Sequence, residues 1–228
     1  MLDLLIEQAP RFFTWNNFLL IAQGAGVTLL LTAIGCGVGG VMGFALTLVR
    51  TSTSLWLLPF RLVALLYVEL FRRIPFIVVL FIVLYSIQVV APRSSQFTIA
   101  TIAICLVSTA FLAEIIRAGF ESVPRQQIEA AETLNFPRWL TIRAIVLPQA
   151  WKVILPPAIA FVVMFIKDTA LASQMGVIEL TFVGRTLNNR GFSSFMVFGT
   201  ILLVYFAMSW PLARLGRHLE ARLAASRA

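Results

Sequence analysis

Residues 26–49 read GVTLLLTAIGCGVGGVMGFALTLV and contain no charged side chain. About 20 apolar residues in a helix are enough to cross a hydrocarbon core of about 30 Å, so this stretch predicts a transmembrane helix. Gly35, Gly39 and Gly43 recur at intervals of four residues and therefore lie on one face of that helix. Such a face of small residues predicts the close approach of a second helix.

The composition of the whole chain is that of a polytopic membrane protein. Of its 228 residues, 60% are hydrophobic and 12% are charged, whereas typical globular chains have about 25% charged residues. This leaves too little polar surface for a water-soluble fold, and the length suits a single domain over residues 1–228. Cys36 and Cys105 lie inside apolar runs, which predicts core residues rather than a disulfide or a metal site.

The remaining apolar runs predict four more spans in an all-α chain with five transmembrane helices. The second span crosses at residues 74–90, after an amphipathic lead-in helix from residue 55 and a break near Pro75. The third covers residues 94–113, and the fifth covers residues 191–213. The fourth begins between Trp151 and Pro157 and has to run past Lys167 and Asp168 to reach a sufficient length.

The distribution of positive charge predicts the orientation. Five spans place the two ends on opposite sides, and with the N-terminus outside, thirteen of the 18 Lys and Arg residues fall on the cytoplasmic side. Positive residues favour that side, so the C-terminus and the polar stretch 119–147 are predicted to be cytoplasmic. The net charge of +8 is therefore explained by the orientation of the chain in the membrane. Because no basic stripe lies on a polar face, nucleic-acid binding is excluded.

The polar stretch contains the pattern of a helical hairpin. Residues 122–148 read SVPRQQIEAAETLNFPRWLTIRAIVLP. Pro124 suits the start of a first helix, Asn135 suits a left-handed helix end, and Pro137 suits the start of a second helix. Pro148 is predicted to limit that second helix before the membrane. On physical grounds alone, the hairpin is either a docking element for another protein or a solvated loop.

This hairpin resembles the EAA signature of permeases in binding-protein-dependent ABC importers of type I. The similarity rests on residues 129–131 and 145–148, and segments 67–75, 112–119, 165–170 and 176–180 are similar to the polar amino acid branch. In that family the loop docks on a cytoplasmic ATPase. The resemblance implies seven coupling residues: Glu129, Ala130, Ala131, Leu134, Asn135, Leu147 and Pro148. The family usually has glycine where this chain has Asn135, whose side chain also tolerates positive φ.

The resemblance also implies the partners. The chain lacks the G-x-x-x-x-G-K-[ST] phosphate loop, so it is predicted to be no enzyme and to bind no cofactor itself. ATP and magnesium would bind to a separate cytoplasmic ABC ATPase dimer. A second permease chain, identical or homologous, an extracytoplasmic solute-binding protein and membrane lipid would complete the importer in the bacterial cytoplasmic membrane. The alternatives are a stand-alone secondary carrier or channel for a small polar solute, and a scaffold that transports nothing.

A candidate solute pathway lies at the end of the fourth span. Lys167 is ten residues beyond Pro157, about 15 Å along a helix and therefore near the bilayer midplane. Charge at that depth is costly and is usually placed deliberately, which allows a functional reading in which Asp168, Thr169 and Ser173 line the path. The carboxylate would then meet a substrate ammonium group. In the alternative reading, Lys167 and Asp168 pair structurally with charges on the second helix.

Those second-helix charges allow two readings as well. Glu69 and Arg72 either line the solute path or belong, with Arg73, to a charge cluster at a helix break. Glu114 and Arg117 are three residues apart and are predicted to pair on one helix face.

Overall fold

A computed structural model describes residues 2–225, with side chains from residue 6 to residue 223, and all regular elements in this part of the chain are helical. Short 3-10 segments cover Leu55–Leu57 and Thr169–Met175, and a π-helical segment covers Ile142–Val146. The α-helices are α1 (Leu2–Phe12), α2 (Trp15–Arg50), α3 (Leu58–Arg73), α4 (Phe76–Val90), α5 (Gln96–Glu121), α6 (Arg125–Thr133), α7 (Arg138–Thr141), α8 (Leu147–Asp168), α9 (Leu180–Asn189) and α10 (Ser194–Ala225). The predicted all-α class is confirmed.

Within residues 2–225, four helical stretches are long and apolar enough to cross a membrane, and a fifth joins them when the broken pair α3 and α4 counts as one span. The four cover residues 15–50, 96–121, 138–175 and 194–223. The predicted break is confirmed at Ile74 and Pro75, because proline removes a backbone donor and holds Ile74 in an extended conformation. The fourth span runs past Lys167, as predicted, and continues as a 3-10 segment.

The chain forms two compact units, each assembled from three segments. The first unit comprises the chain up to Gly35, Pro75–Cys105 and Val163–Pro211. The second comprises Cys36–Ile74, Leu106–Val162 and the chain from Leu212 onward. Helices α2, α5, α8 and α10 each contribute to both units. The organisation of residues 1–228 as a single domain stays a prediction.

In the first unit, an apolar core fixes α9 and the loop before it. Its members come from helices α1, α2, α9 and α10: Phe12, Ile21, Leu180, Val183, Leu187, Val197 and Ile201. Three of them, Leu180, Leu187 and Val197, are fully buried. Close packing of these side chains between the helices holds the loop that precedes Leu180 in place.

In the second unit, the core attaches the polar stretch to the membrane helices. Its members are Ile116, Phe120, Val123, Val146, Ala150 and Ile154. Helix α2 packs closely on α5 in the same unit, because a Cβ at Gly43 would lie 2.7 Å from the backbone nitrogen of Ala113. A Cβ at Gly39 would similarly lie 2.9 Å from the Ser108 side chain. The predicted close approach at this glycine face is confirmed.

Candidate functional site

Residues 122–148 form the predicted helical hairpin. Pro124 precedes α6 and Pro137 precedes α7, as the sequence pattern indicates. Asn135 has a φ of 55° and is the one non-glycine residue with positive φ in the described chain. The amide of Asn135 donates to the Glu132 carbonyl (2.9 Å), and the amide of Phe136 donates to the Ala131 carbonyl (3.0 Å). This pair of bonds is a Schellman motif, so asparagine closes the helix here as glycine usually does.

The seven predicted coupling residues occupy three environments. Glu129, Ala130, Leu134 and Asn135 are exposed together on the hairpin, and the Leu134 side chain is 69% exposed. Ala131 is buried and packs the hairpin against its own unit. Leu147 is half-buried and Pro148 is exposed, and both lie at the start of α8 rather than at the hairpin tip.

The prediction that Pro148 limits the second arm is wrong. Helical structure continues from Arg138 to Met175. Pro148 is the second residue of α8 and directly follows the π-helical segment Ile142–Val146. A π-helical turn has a wider hydrogen-bonding pattern than an α-helical turn, so the missing amide of the proline interrupts nothing at this point.

A cleft of about 930 Å³ separates the hairpin from the loop that follows α2. Its lining includes Thr51 and Thr53 from that loop and Glu129 and Arg138 from the hairpin. The Arg138 guanidinium spans the cleft, because it donates to the Ser52 hydroxyl (3.3 Å) and to the Thr51 carbonyl. The arginine therefore fixes the hairpin to the end of α2.

Helices α6 and α8 are joined by a second polar contact. The Gln149 amide donates to the Gln127 side-chain oxygen at 2.6 Å. Gln149 also donates to the Ile145 carbonyl (3.0 Å), so one amide joins both arms of the hairpin.

Glu114 is the centre of an ion cluster in the second unit. Its carboxylate lies 3.0 Å from Arg50, 3.6 Å from Arg72 and 2.5 Å from Arg117. Arg117 also pairs with Glu121. The predicted Glu114–Arg117 pair is confirmed, whereas the participation of Arg50 and Arg72 was not predicted.

The charged side chains at the end of α3 form ion pairs within the second unit. Glu69 pairs with Arg73, four residues later, at 2.6 Å. The Arg72 guanidinium lies 5.9 Å from the Phe111 ring centroid in addition to its ion pair with Glu114. Glu69 and Arg72 therefore have ion-pair partners other than Lys167 and Asp168.

The pathway residues at the end of α8 belong to the first unit. Asp168 is half-buried and Lys167 is exposed, and neither takes part in an ion pair within the described side chains. The buried Thr169 hydroxyl donates to the Ile166 carbonyl at 2.8 Å. The Ser173 hydroxyl is also buried but has no hydrogen-bond partner among the described residues. An unpaired buried hydroxyl is uncommon, which makes Ser173 the most unusual polar group of this segment.

The sequence interpretation assigned no role to Glu179, which is fully buried in the first unit. Its carboxylate accepts hydrogen bonds from the backbone amides of Thr181 (2.9 Å) and Phe182 (2.8 Å) at the start of α9. It also accepts from the hydroxyls of Tyr205 (3.0 Å) and Thr28 (3.4 Å). Burial raises the pKa of this carboxyl above its ordinary value, and the four hydrogen bonds do not cancel that effect.

This carboxylate joins three helices of the first unit. Thr28 lies on α2 and Tyr205 on α10, while Glu179 itself caps α9. The only signal in the sequence was an acidic residue inside the short motif 176–180. Glutamate is not among the preferred N-cap residues, so local pattern rules do not identify it.

Within residues 6–223, no three His, Cys, Asp or Glu side chains are grouped in a way that could hold a metal ion.

Several known proteins are similar to this chain. A family model described as "Binding-protein-dependent transport system inner membrane component" matches residues 54–225. A probable amino-acid ABC transporter permease, YckA of Bacillus subtilis (strain 168), is 33% identical, covering 85% of this chain and 84% of the relative. The octopine transport system permease OccM of Rhizobium radiobacter is 32% identical, covering 91% and 87%. The glutamine transport system permease GlnP of Escherichia coli (strain K12) is 30% identical, covering 92% and 95%.

Solved structures agree with this grouping. A crystal structure of an amino acid ABC transporter with histidines has a TM-score of 0.81 at 30% identity, covering 89% of this chain and 94% of that one. An inward-facing structure of the MetNI methionine ABC transporter has a TM-score of 0.80 at 18% identity, which shows a shared fold. The family match covers most of the chain, and the apolar helices fit a membrane. The chain therefore belongs to the family of binding-protein-dependent transport system inner membrane components and is a multi-pass protein of the inner membrane.

Proposed function

We propose that this chain is the permease subunit of an ABC importer that carries a polar amino acid across the bacterial cytoplasmic membrane. The names of its relatives support this substrate class, because they are permeases for amino acids, octopine and glutamine. The observation that carries the proposal is the ordered hairpin 125–141, which presents Glu129, Ala130 and Leu134 to solvent. The chain has no phosphate-binding loop, so ATP hydrolysis belongs to a separate ATPase pair.

The exposed side of the hairpin is the proposed contact with the ATPase. Leu134 (69% exposed) is a large apolar side chain beside polar ones. An apolar anchor with a polar surround is the usual composition of a protein-binding patch. Ala131 is buried, so it packs the hairpin against its own unit and does not contact the ATPase. A second permease chain and an extracytoplasmic solute-binding protein complete the proposed importer.

The proposed orientation places the N-terminus outside and the C-terminus in the cytoplasm. Arg50, Arg125, Arg138 and Arg143 all lie at or near the hairpin end of the second unit. Positive residues concentrate on the cytoplasmic side of membrane proteins, which supports a cytoplasmic hairpin. That side is also where an ATPase has access to ATP.

The proposed solute path includes Asp168 and Ser173. The Asp168 carboxylate has no ion-pair partner among the described side chains and could meet a substrate ammonium group, and the unpaired Ser173 hydroxyl could donate to a substrate oxygen. The Thr169 hydroxyl already donates a hydrogen bond to the Ile166 carbonyl, so Thr169 contributes only to the shape of the proposed path. Glu69 and Arg72 stabilise the second unit through their ion pairs.

The decisive experiment separates ATPase docking from folding. Leu134→Asp in the complete importer is expected to abolish co-purification of the ATPase while the permease keeps its thermal stability, because Leu134 is exposed. Ile178→Asp is the matched control, since Ile178 is a similarly exposed apolar residue (62%) outside the hairpin. Retention of the ATPase by Leu134→Asp contradicts the docking surface. Uphill solute uptake by vesicles that hold only this chain would establish the stand-alone carrier instead.

A further inference from the structure

An apolar groove of about 800 Å³ runs along the second unit between helices α2, α5 and α8. Cys36 and Gly40 line it from α2, Leu112 and Ile116 line it from α5, and Trp151 and Val162 line it from α8. A Cβ at Gly40 would meet nothing within 4 Å, so the groove is open above this glycine. All three helices belong to candidate membrane spans, so the groove lies at the depth of the bilayer.

The groove is long enough for the acyl chain of one lipid leaflet. On α8 its lining extends from Leu147 to Val162, about 22 Å at 1.5 Å per residue, and the part from Trp151 to Val162 covers about 16 Å. Half of a hydrocarbon core of about 30 Å is nearly the same length. Trp151 is 54% exposed at one end, and tryptophan is typical of the interface between headgroups and acyl chains. The groove therefore runs from the interface towards the bilayer midplane.

A cation lies beyond the interfacial end of the groove. Arg143 is four residues before the groove residue Leu147 in the same continuous helix, within the π-helical segment, so both project from the same helix face. The Arg143 side chain is exposed, and its guanidinium lies 5.6 Å from the Trp139 ring centroid. None of the ion pairs among the described side chains includes Arg143. Its charge is free for a ligand at headgroup level.

We propose that this groove binds an anionic glycerophospholipid, with one acyl chain along Gly40 and Ile116 and the phosphate at Arg143. The apolar lining suits an acyl chain, and the planar guanidinium suits a phosphate oxygen pair. The Trp139 ring holds the guanidinium in place. A helix of a second protein would leave Arg143 without a partner unless it also brought an acidic group, so a lipid accounts for both ends of the groove.

Native mass spectrometry of the complete detergent-purified importer tests this site. Phosphatidylglycerol and phosphatidylcholine of equal chain length are added in turn, and the lipid that remains bound to the permease is measured. The wild type is expected to retain the anionic lipid about tenfold more strongly, the effect of one charge-assisted contact. Arg143→Gln is expected to remove this preference, whereas Arg143→Lys keeps most of it.

The groove itself is tested with a pair of glycine variants. Gly40→Leu adds a side chain in the groove at a position where a Cβ meets no atom within 4 Å, so it is expected to reduce retention of both lipids. Gly37→Leu is the matched control, because a Cβ there also meets nothing within 4 Å and the residue is not part of the groove lining. The anionic lipid is also expected to raise the Tm of the wild type and of Gly37→Leu, but not that of Gly40→Leu or Arg143→Gln.

Three results overturn the proposal. Equal retention of both lipids by the wild type removes the headgroup site. Unchanged retention in Gly40→Leu removes the acyl-chain site. Release of a second permease chain by Gly40→Leu, with lipid retention unchanged, assigns the groove to an interface between proteins. None of these readouts depends on transport, so the proposed function can fail or stand separately.

Discussion

Arg138 and Thr51 are 87 residues apart in the sequence, and the Arg138 guanidinium donates a hydrogen bond to the Thr51 carbonyl. A second bond from the same guanidinium reaches the Ser52 hydroxyl at 3.3 Å. The pair attaches the proposed ATPase-docking hairpin to the end of α2. A movement of the hairpin would be passed through this contact to a membrane helix that is distant in the sequence.

Replacement of this arginine is expected to separate ATP hydrolysis from transport. Arg138→Lys keeps the positive charge but loses the planar guanidinium group, which can donate to two acceptors at once. The free energy of unfolding is expected to fall by about 1 kcal/mol. The ATPase should still co-purify, while the number of solute molecules imported per ATP hydrolysed falls several-fold. Arg125→Lys, which changes another exposed arginine at the same cleft, is the control. An unchanged ratio of import to hydrolysis in Arg138→Lys contradicts a transmitting role.

The Glu114 cluster is expected to contribute far more stability than the Glu69 pair. Glu114→Gln leaves three arginines without their shared carboxylate, and Arg50 is only 9% exposed, so the free energy of unfolding is expected to fall by about 2 kcal/mol. Glu69→Gln affects a pair whose side chains are 78% and 40% exposed, and a loss below about 1 kcal/mol is expected. Thermal unfolding of the purified complex measures both. Equal losses of unfolding free energy in Glu114→Gln and Glu69→Gln would show that burial of the Glu114 cluster does not increase its contribution to stability.

Glu179 is expected to make the stability of the permease depend on pH. Burial raises its pKa in the folded chain, so the stability due to the protonated carboxyl is complete below the ordinary pKa of about 4.5 and is lost as the pH rises through the folded pKa. Tyr205 is the titratable side chain that contacts it, and it stays neutral over this range. The Tm of the wild type relative to Glu179→Gln should therefore fall as the pH is raised from about 4.5.

The matched control for this series is Glu132→Gln, which changes an exposed carboxylate on the hairpin. Its Tm difference from the wild type should stay constant over the same range. A constant difference for Glu179→Gln, or a difference of opposite sign, would contradict the effect of burial on this carboxyl.

Two serine variants distinguish a solute contact from a packing defect. Ser173 and Ser209 both have buried hydroxyls without partners among the described residues. Loss of an unsatisfied hydroxyl relieves a desolvation cost, so Ser173→Ala and Ser209→Ala are both expected to raise the Tm. Only Ser173→Ala is expected to raise the KM for solute uptake. Identical uptake by the two variants would remove Ser173 from the pathway.

Asp168 is expected to affect the same uptake measurement more strongly. Asp168→Asn removes a charge that is proposed to meet the substrate ammonium group, so the KM is expected to rise between tenfold and a hundredfold, on the order of a lost charged hydrogen bond. Lys167→Gln, which changes the exposed neighbour, is the control and should leave the KM nearly unchanged. A KM for Asp168→Asn equal to that of the wild type would contradict a contact between Asp168 and the substrate ammonium group.

The elements that the sequence predicted correctly depend on local interactions. The turn at Asn135 follows from the conformational tolerance of asparagine, and the Glu114–Arg117 pair follows from helical spacing. The break at Pro75 similarly follows from the missing backbone donor. Each of these features is determined within a few residues of the chain.

The features that the sequence did not predict depend on distant contacts or on unusual helix geometry. Arg50 meets Glu114 across 64 residues, and Thr28 meets Glu179 across 151 residues. No local pattern indicates either contact. Pro148 was expected to limit a helix because proline usually does, but the π-helical segment before it removes the conflict. Tertiary packing and a rare helical turn therefore determined these outcomes.

The continuity of the helix through Pro148 has a mechanical consequence. From Arg138 to Val162 the chain is helical for about 36 Å, through the π-helical segment and past Pro156 and Pro157, with no loop to act as a flexible joint between its solvent-exposed end and its membrane part. A push on the hairpin would therefore be passed along this helix instead of being taken up by a loop. Insertion of a few glycines after Val146 would introduce the missing joint, and the importer would then hydrolyse ATP without moving its solute.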